Sequence, residues 1–402
     1  MGGQVHARQV AGVLALHTQG FGLGRVTGVQ IADGRTLPCS ACVFNGDPAA
    51  LTEGRMGSAA AAALARSATQ PRSLSALVWA FASEAQGPKA PDLIHHNLFF
   101  TEDPAREFGP IGQGRMPEAP TLYLCAEDRA RGPATGPATG PERFEIILNA
   151  PAGLPALRPE DFRQCRQITF DRLSRMGLHL TAPGPEALTT PATLDRLFPA
   201  SQGAIYGRSP EGTMASFQRP PARTALPGLY LAGGSVHPGP GIPMATMSGR
   251  IAAARLLADM RRRLDAIAAA GRALPRRPRV FFEEWDEPII TGIAWVGELV
   301  RIAGGEDVFP ELSVQPLAKA RILADGDVVV ARAPDIILGS WCGKKFRPQQ
   351  VAARPGWSAI PAVRDGELHE IKSPLILQPG PAALTDGLDA LHAIVARWAL
   401  RG

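Results

Sequence analysis

Apolar and polar residues alternate from Gly24 to Ile31 (Gly-Arg-Val-Thr-Gly-Val-Gln-Ile), a two-residue period that predicts a strand with one buried face. Ala32-Asp33-Gly34-Arg35 carries turn residues, and the apolar run from Leu37 to Phe44 predicts that a hairpin continues as a strand through Phe44. Asn45-Gly46-Asp47-Pro48 breaks that strand, and a helix is expected through the alanines that follow. Short strand-like runs recur at residues 77–81, 121–124 and 144–148. Between about 244 and 274 the period lengthens. Leu257, Met260, Leu264, Ile267 and Leu274 keep a three-four spacing that predicts one long helix, weakened by Gly271 and stopped by Pro275. Beyond Pro278 the texture changes again: strands at 280–282, 335–338 and 367–371 alternate with helices at 296–303 and 382–400. Such alternation predicts a small parallel α/β lobe. The expected organisation is therefore a mixed α+β region over 1–258, a long connecting helix over 244–274, and an α/β lobe over 275–402.

Composition narrows the class without naming a function. The 402 residues are 45% hydrophobic and 20% charged, which fits folded domains and excludes a disordered chain. A net charge of +5 is only mildly basic, aromatic residues are 6%, and no nucleic-acid motif is present, so no nucleic-acid partner is expected. The arginines at 261–263, 276, 277 and 279 read as a solvated helix face. Five scattered cysteines do not make a disulfide framework and suit a reducing compartment. Cys39-Ser40-Ala41-Cys42 has half-zinc-site spacing, but neither a second such pair nor a His pair completes it, so it reads as strand and no metal is expected. No charged-then-apolar leader opens the chain and no run of about 18 apolar residues occurs; a cytoplasmic protein without a transmembrane segment is the expectation. The Gly-Pro-Ala-Thr duplication within 130–143 reads as a loop.

The richest stretch for chemistry is Leu229-Tyr-Leu-Ala-Gly-Gly-Ser-Val-His-Pro-Gly-Pro-Gly-Ile-Pro-Met244. It predicts a buried strand, a Gly/Pro turn and a helix start. Glycines let a ligand approach the backbone closely, and a helix N-terminus offers unpaired N–H groups to negative charge. The motif resembles the C-terminal flavin-binding signature of the phytoene desaturase family, and specifically its hydroxyneurosporene/methoxyneurosporene desaturase branch. Val43-Phe-Asn-Gly-Asp-Pro48, His95-His-Asn-Leu-Phe-Phe100, Thr121-Leu-Tyr-Leu-Cys-Ala-Glu-Asp128, Leu148-Asn-Ala-Pro151, Ala204-Ile-Tyr-Gly-Arg208 and Ser216-Phe217 add to it, over about residues 25–260. The resemblance implies FAD-dependent dehydrogenation of an acyclic hydroxy- or methoxy-carotenoid, a two-domain flavin-oxidoreductase fold and peripheral association with membranes. It implies that Gly233, Gly234, Gly239, Gly241, Ile242, Pro243 and Met244 line the flavin. No catalytic acid or base is assigned; His95 and His237 read as packed residues.

The family's strand–GxGxxG–helix unit is missing from these residues, and Gly20-Phe-Gly-Leu-Gly24 lacks the following helix. The region thus reads as a truncated flavin-oxidoreductase fold, in which the pyrophosphate and adenosine of FAD lack their main binding surface. Weak or absent activity alone is expected.

From about 261 onward the chain resembles the C-terminal lobe of periplasmic vitamin B12-binding proteins of ABC transporters. The matching runs include Phe281-Phe-Glu-Glu-Trp-Asp-Glu-Pro288, Trp295-Val-Gly-Glu-Leu299, Ala303-Gly-Gly-Glu-Asp-Val-Phe-Pro310, Ser340-Trp-Cys-Gly-Lys-Lys-Phe346 and Ser373-Pro-Leu-Ile-Leu-Gln-Pro-Gly-Pro381. This implies cobalamin as a possible ligand, with Trp285, Trp295 and Trp341 covering the corrin, while Lys344 and Lys345 read as solvated. Three readings stay open: a carotenoid desaturase region fused to a corrinoid lobe, a corrinoid-binding transport component, and a rearranged product with neither activity.

Overall fold

The computed structural model describes residues 13–19, 24–129, 140–181, 184 and 186–401. Gly20–Leu23 and the Gly-Pro-Ala-Thr duplication at 130–139 lie outside them, as does the start of the chain. The chain forms two compact units, Met1–Ala253 and Ala254–Gly402.

In the first unit the expected hairpin forms, with Arg25–Ile31 antiparallel to Thr36–Pro38 and to Val13–Gln19. The strand does not continue through Phe44. It breaks after Pro38, and Cys42–Phe44 pairs instead, in parallel, with Leu229–Leu231. The alanine helix is likewise two single turns, Ala49–Thr52 and Ser58–Ala61, separated by glycines with positive φ at 54 and 57. Val26, Phe44, Leu51, Leu229 and Leu231 bury together around the parallel pair and fix its ends.

A five-stranded antiparallel sheet makes the rest of this unit, in the order Ala187–Thr189, Ser75–Ser83, Glu142–Ala150, Leu122–Ala126, His96–Phe99. All three strands expected there are present. Alternation decides which face is covered: Phe144, Ile146, Leu148 and Ala150 point inward, and Phe81 pairs across to Phe144. The helix Pro159–Arg175 supplies the lid, placing Phe162, Cys165, Phe170 and Leu173 on that face. Its start carries Pro159 with Glu160 and Asp161 in the first turn, which suits the helix dipole. Each fully buried aliphatic or aromatic side chain here contributes roughly 1.5–3 kcal/mol of hydrophobic stabilisation.

One helix, Ile242–Arg272, spans 31 residues, or roughly 46 Å at 1.5 Å per residue. Leu264, Ile267 and Leu274 pack on the second unit's core, whereas Leu257 is exposed. In that unit Arg279–Asp286, Ile336–Gly339 and Leu368–Glu370 run parallel, with Glu306–Asp307 parallel and Ile289–Thr291 antiparallel to the first of them. Both faces are covered. Val280, Phe282, Ile336 and Leu338 face the helices Ala294–Ala303 and Leu388–Ala399, while Phe281 and Ile337 face Val351, Trp357 and Ile360 on the opposite side. That explains why these strands read as unbroken apolar runs. The basic run is exposed, as read, except at Arg263, which is partly buried and pairs with Asp386 and Asp389; the exposed Arg276 lies 4.7 Å over the Trp398 ring.

Gly271 does more than weaken a helix end. A Cβ there would fall 2.5 Å from the Ile302 carbonyl oxygen and 2.8 Å from the Gly304 nitrogen, so the helix meets the Ala303–Gly304 turn backbone to backbone. Gly271→Ala in an isolated helix gains about 1 kcal/mol. Here it is expected to cost about 1–3 kcal/mol, because backbone cannot rotate out of the way as a side chain can. Urea unfolding followed by tryptophan emission checks the sign; a gain in stability would contradict the packing.

Candidate functional site

The first candidate site forms where the parallel pair ends. Leu229–Leu231 is buried throughout and delivers Ala232 to the Phe44 carbonyl, with a 3.1 Å hydrogen bond from the Ala232 N–H. Asn45 Nδ2 donates to the Ala232 carbonyl at 3.1 Å, so the residues after both strands are tied together. Gly233 then turns with φ +125°, and a Cβ there would lie 3.2 Å from Asn45 Nδ2. Its N–H donates to Ser248 Oγ at 2.8 Å, and that hydroxyl also lies 2.6 Å from the Ala245 carbonyl. Ser248, fully buried on the first turns of the long helix, thereby pins the helix start to the strand end. Sequence reading missed it, because one serine in a helix carries no motif.

Two further side chains brace the turn. Asp47 is buried and accepts from both terminal nitrogens of Arg72 at 3.2 and 2.5 Å, from Ser235 Oγ at 3.1 Å and from the Ala49 N–H at 2.9 Å. Arg219, also buried, donates to the carbonyls of Tyr206, Arg208 and Gly234 at 2.7, 2.8 and 3.3 Å. Burial, and then the charges of Arg208 and Arg72, hold its pKa below the usual arginine range. Both charged groups are committed to internal bonds, which leaves neither placed as a general acid or base.

The seven residues assigned to the flavin divide in two. Gly233 and Gly234 spend backbone groups on Ser248 and Arg219 inside the protein, and Gly239 is buried against Arg219. Gly241, Ile242, Pro243 and Met244 are exposed. Gly241 has φ +91° with open space before it. Ile242, at 84% exposure, opens the helix, and Met244, Met247 and Phe217 are also exposed. Phe217 stacks on His237 of the turn at 6.1 Å between ring centroids. An apolar rim thus stands beside a helix start at which Ile242 and Met244 carry backbone N–H groups, Pro243 has none, and the Ala245 N–H already donates to the Gly241 carbonyl at 2.9 Å. That donor set and surface fit a flat apolar ring that gathers negative charge, such as a flavin, which would rest on Gly241, Ile242 and Met244. His95, by contrast, lies on the sheet, its Nδ1 3.0 Å from the Ala126 carbonyl.

All five cysteines are reduced. Burial, and then Cys39, push the Cys42 thiol up to about 11, and burial pushes Cys165 to about 11. Neither is a thiolate near neutrality, so Cys39-x-x-Cys42 is not poised for redox exchange. Iodoacetamide at pH 8 is expected to modify the exposed Cys342 first and to spare Cys42 and Cys165. Peptide mapping reads the order, and early labelling of Cys42 would contradict it.

In the second unit the three tryptophans fall in different places. Trp341 is buried, its indole N–H bonded to Glu283 at 2.9 Å. Trp295 is partly buried on its helix and donates to the Ile376 carbonyl at 3.1 Å. Trp285 lines a hollow of about 400 Å³, shared with Pro288, Ile290, Cys342, Leu377 and Gln378. Lys344 is exposed, as read, and its ammonium lies 4.5 Å from the Trp285 ring and 5.3 Å from that of Trp341, paired with Asp286. At an exposed position such a cation–ring contact is worth only about 0.5–1 kcal/mol.

Comparison with known proteins agrees with this division. Residues 117–257 match the family model for flavin containing amine oxidoreductases, and residues 250–375 match that for periplasmic binding proteins. The chain is 56% identical over 257 residues to the hydroxyneurosporene desaturase of Cereibacter sphaeroides, covering 64% of this chain and 50% of that protein. Among solved structures it is similar to a periplasmic binding protein from Veillonella parvula, at 25% identity and TM-score 0.31, covering 37% of this chain and 54% of the other. It is also similar to a periplasmic vitamin B12 binding protein of Vibrio cholerae, at 15% identity and TM-score 0.29, covering 43% and 66%. The chain spans about half the length of the curated relatives it matches. No helix among the described residues is long and apolar enough to cross a membrane. The chain therefore joins a flavin-oxidoreductase-like region, homologous to carotenoid desaturases over roughly 60% of its length, to a periplasmic-binding-protein domain.

Proposed function

We propose that the first unit serves FAD-dependent dehydrogenation of an acyclic hydroxy- or methoxy-carotenoid, and that it provides the wall against the flavin ring. The observation that carries this reading is the exposed apolar rim of Phe217, Ile242, Met244 and Met247 around a glycine turn and helix N-terminus. So much uncovered apolar surface beside a glycine turn suits a ring and a polyene better than water. A flavin held there supplies two-electron acceptance, and loss of hydrogen from adjacent carbons of the polyene leaves a new double bond. The chain's own residues hold the geometry: Ser248 fixes the helix start, Asp47 and Ser235 fix the turn, and the rim excludes water. The same rim would admit a substrate delivered from a bilayer surface.

Because these 402 residues contain no GxGxxG unit, they offer the ring a surface but give the nucleotide half of FAD little to bind. The activity test is incubation with added FAD and a hydroxylated acyclic carotenoid in liposomes. A red shift of the polyene spectrum that develops slowly and only at high FAD concentration is the expected result. Flavin bound without any spectral shift would remove the desaturase activity and leave only the flavin site.

A second reading, favoured by the Trp285 hollow and its neighbouring Lys344, is that the second unit contributes one lobe of a corrinoid-binding cleft. Calorimetric titration with cyanocobalamin tests it. Heat that disappears in Trp285→Ala supports the reading, and no heat removes it.

A further inference from the structure

The sheet brings together soft ligands that the sequence keeps apart. His95 and His96 precede and open one edge strand, while Cys125 lies on its neighbour, and the antiparallel register sets His96 opposite Cys125. One nitrogen from each histidine and the Cys125 sulphur all lie within 4.8 Å of one another. His95 Nε2 is 3.7 Å and His96 Nδ1 4.0 Å from Sγ, and Glu127 Oε1 is 3.3 Å from the same sulphur. We propose that His95, His96 and Cys125 bind a borderline-soft divalent transition ion such as Zn²⁺, with Glu127 as the fourth ligand.

Three features support a site over a chance cluster. First, the spacing is close to what an ion needs. Tetrahedral Zn²⁺, with bonds of roughly 2.0–2.1 Å to nitrogen and 2.3 Å to sulphur, sets its ligands roughly 3.3–3.6 Å apart. Shifts of a few tenths of an ångström close the sulphur distances, and the exposed His96 ring can turn to close the rest. Second, the His95 ring is already oriented. Its Nδ1 lies 3.0 Å from the Ala126 carbonyl, which can only accept, so Nδ1 carries the proton and Nε2 keeps its lone pair. Third, the backbone is fixed: the Ala126 N–H donates to the His95 carbonyl at 2.9 Å, and Cys125 is buried. Binding replaces the thiol S–H by a sulphur–metal bond and releases that proton to solvent. The Tyr123 hydroxyl, 2.6 Å from His96 Nδ1, covers the nitrogen that the ion takes and must rotate away. The ion would clasp the edge strand to its neighbour, independently of any flavin.

Co²⁺ titration of the whole chain tests this, because a thiolate ligand adds a sulphur-to-cobalt charge-transfer absorption in the near ultraviolet. One equivalent of Co²⁺ is expected to produce that band, and Zn²⁺ to abolish it by displacement. Cys125→Ser should remove the band. His95→Ala and the exposed His96→Ala should each weaken binding about tenfold or more. Tyr123→Phe should bind no more weakly than the parent, and Cys39→Ser should leave the band intact. Because His96 is exposed, His96→Ala keeps the fold and guards against a Cys125→Ser protein that fails to fold. No band in the parent protein, a band that survives Cys125→Ser, or full affinity in folded His96→Ala would each overturn the proposal.

Discussion

Asp47→Ala is expected to destabilise the first unit by about 3–5 kcal/mol, because it strands a buried guanidinium without its counter-ion. Arg72 keeps the carbonyls of Thr69 and Ser201, but neither carries a full charge to replace the lost carboxylate. The damage extends to the candidate site. Ser235 loses its acceptor, and with it the tie between the end of Cys42–Phe44 and the glycine turn some 190 residues later in the chain. Hydrogen exchange at Leu229–Leu231 measures the effect locally, where protection should fall while that of Arg279–Asp286 is unchanged. Loss of protection within 1 kcal/mol of the parent would show that the pair is not what holds the turn. Asp47→Asn, which keeps two hydrogen-bond acceptor directions but no charge, is expected to fall between the two.

Glu283→Ala is expected to cost the second unit a similar amount, about 3–5 kcal/mol. Glu283 is fully buried on the central strand and takes bonds from Trp341 at 2.9 Å and from both terminal nitrogens of Arg354 at 2.7 and 2.9 Å. Truncation leaves Arg354, stacked 4.4 Å from the Trp357 ring, and the Trp341 N–H without partners. Replacing both charges by apolar groups, as in Glu283→Met with Arg354→Met, should recover much of the loss, because no buried charge then remains unpaired. Five of the six tryptophans lie in this unit, so emission during urea unfolding isolates its transition. If the double substitution were as unstable as Glu283→Ala, the penalty would lie in packing and not in the orphaned charge.

What the sequence made legible follows from which interactions are local. The strands at 77–81 and 144–148 were readable because one face is buried and the period is two, and the 280–282 run because both faces are buried. The long helix was readable from its three-four spacing. The glycine turn was readable because positive φ at 233, 239 and 241 demands glycine in any context. The helix Pro159–Arg175 went unread. Its inward positions include a cysteine and a threonine, Cys165 and Thr169, which dilute the apolar stripe. The continuous strand through Phe44 failed because Leu37 and Phe44 belong to different sheets, a choice made by partners far along the chain. The same reason hid Asp47 with Arg72 and Ser235, and His95 and His96 with Cys125. Each set is assembled by strand register and loop closure, with no motif to announce it.

On the proposed reading, the turn at Gly239–Met244 receives the flavin ring while these residues offer the nucleotide half little. Fluorescence titration of the purified chain with FAD and with riboflavin separates the two parts directly. Riboflavin and FAD should bind with dissociation constants within about tenfold of each other, a difference below about 1.4 kcal/mol. Ile242→Asp, placing a carboxylate at the exposed helix start, should weaken both alike. FAD held in stoichiometric amount and far more tightly than riboflavin, or no binding of either, would show that this turn is not a site for the ring alone.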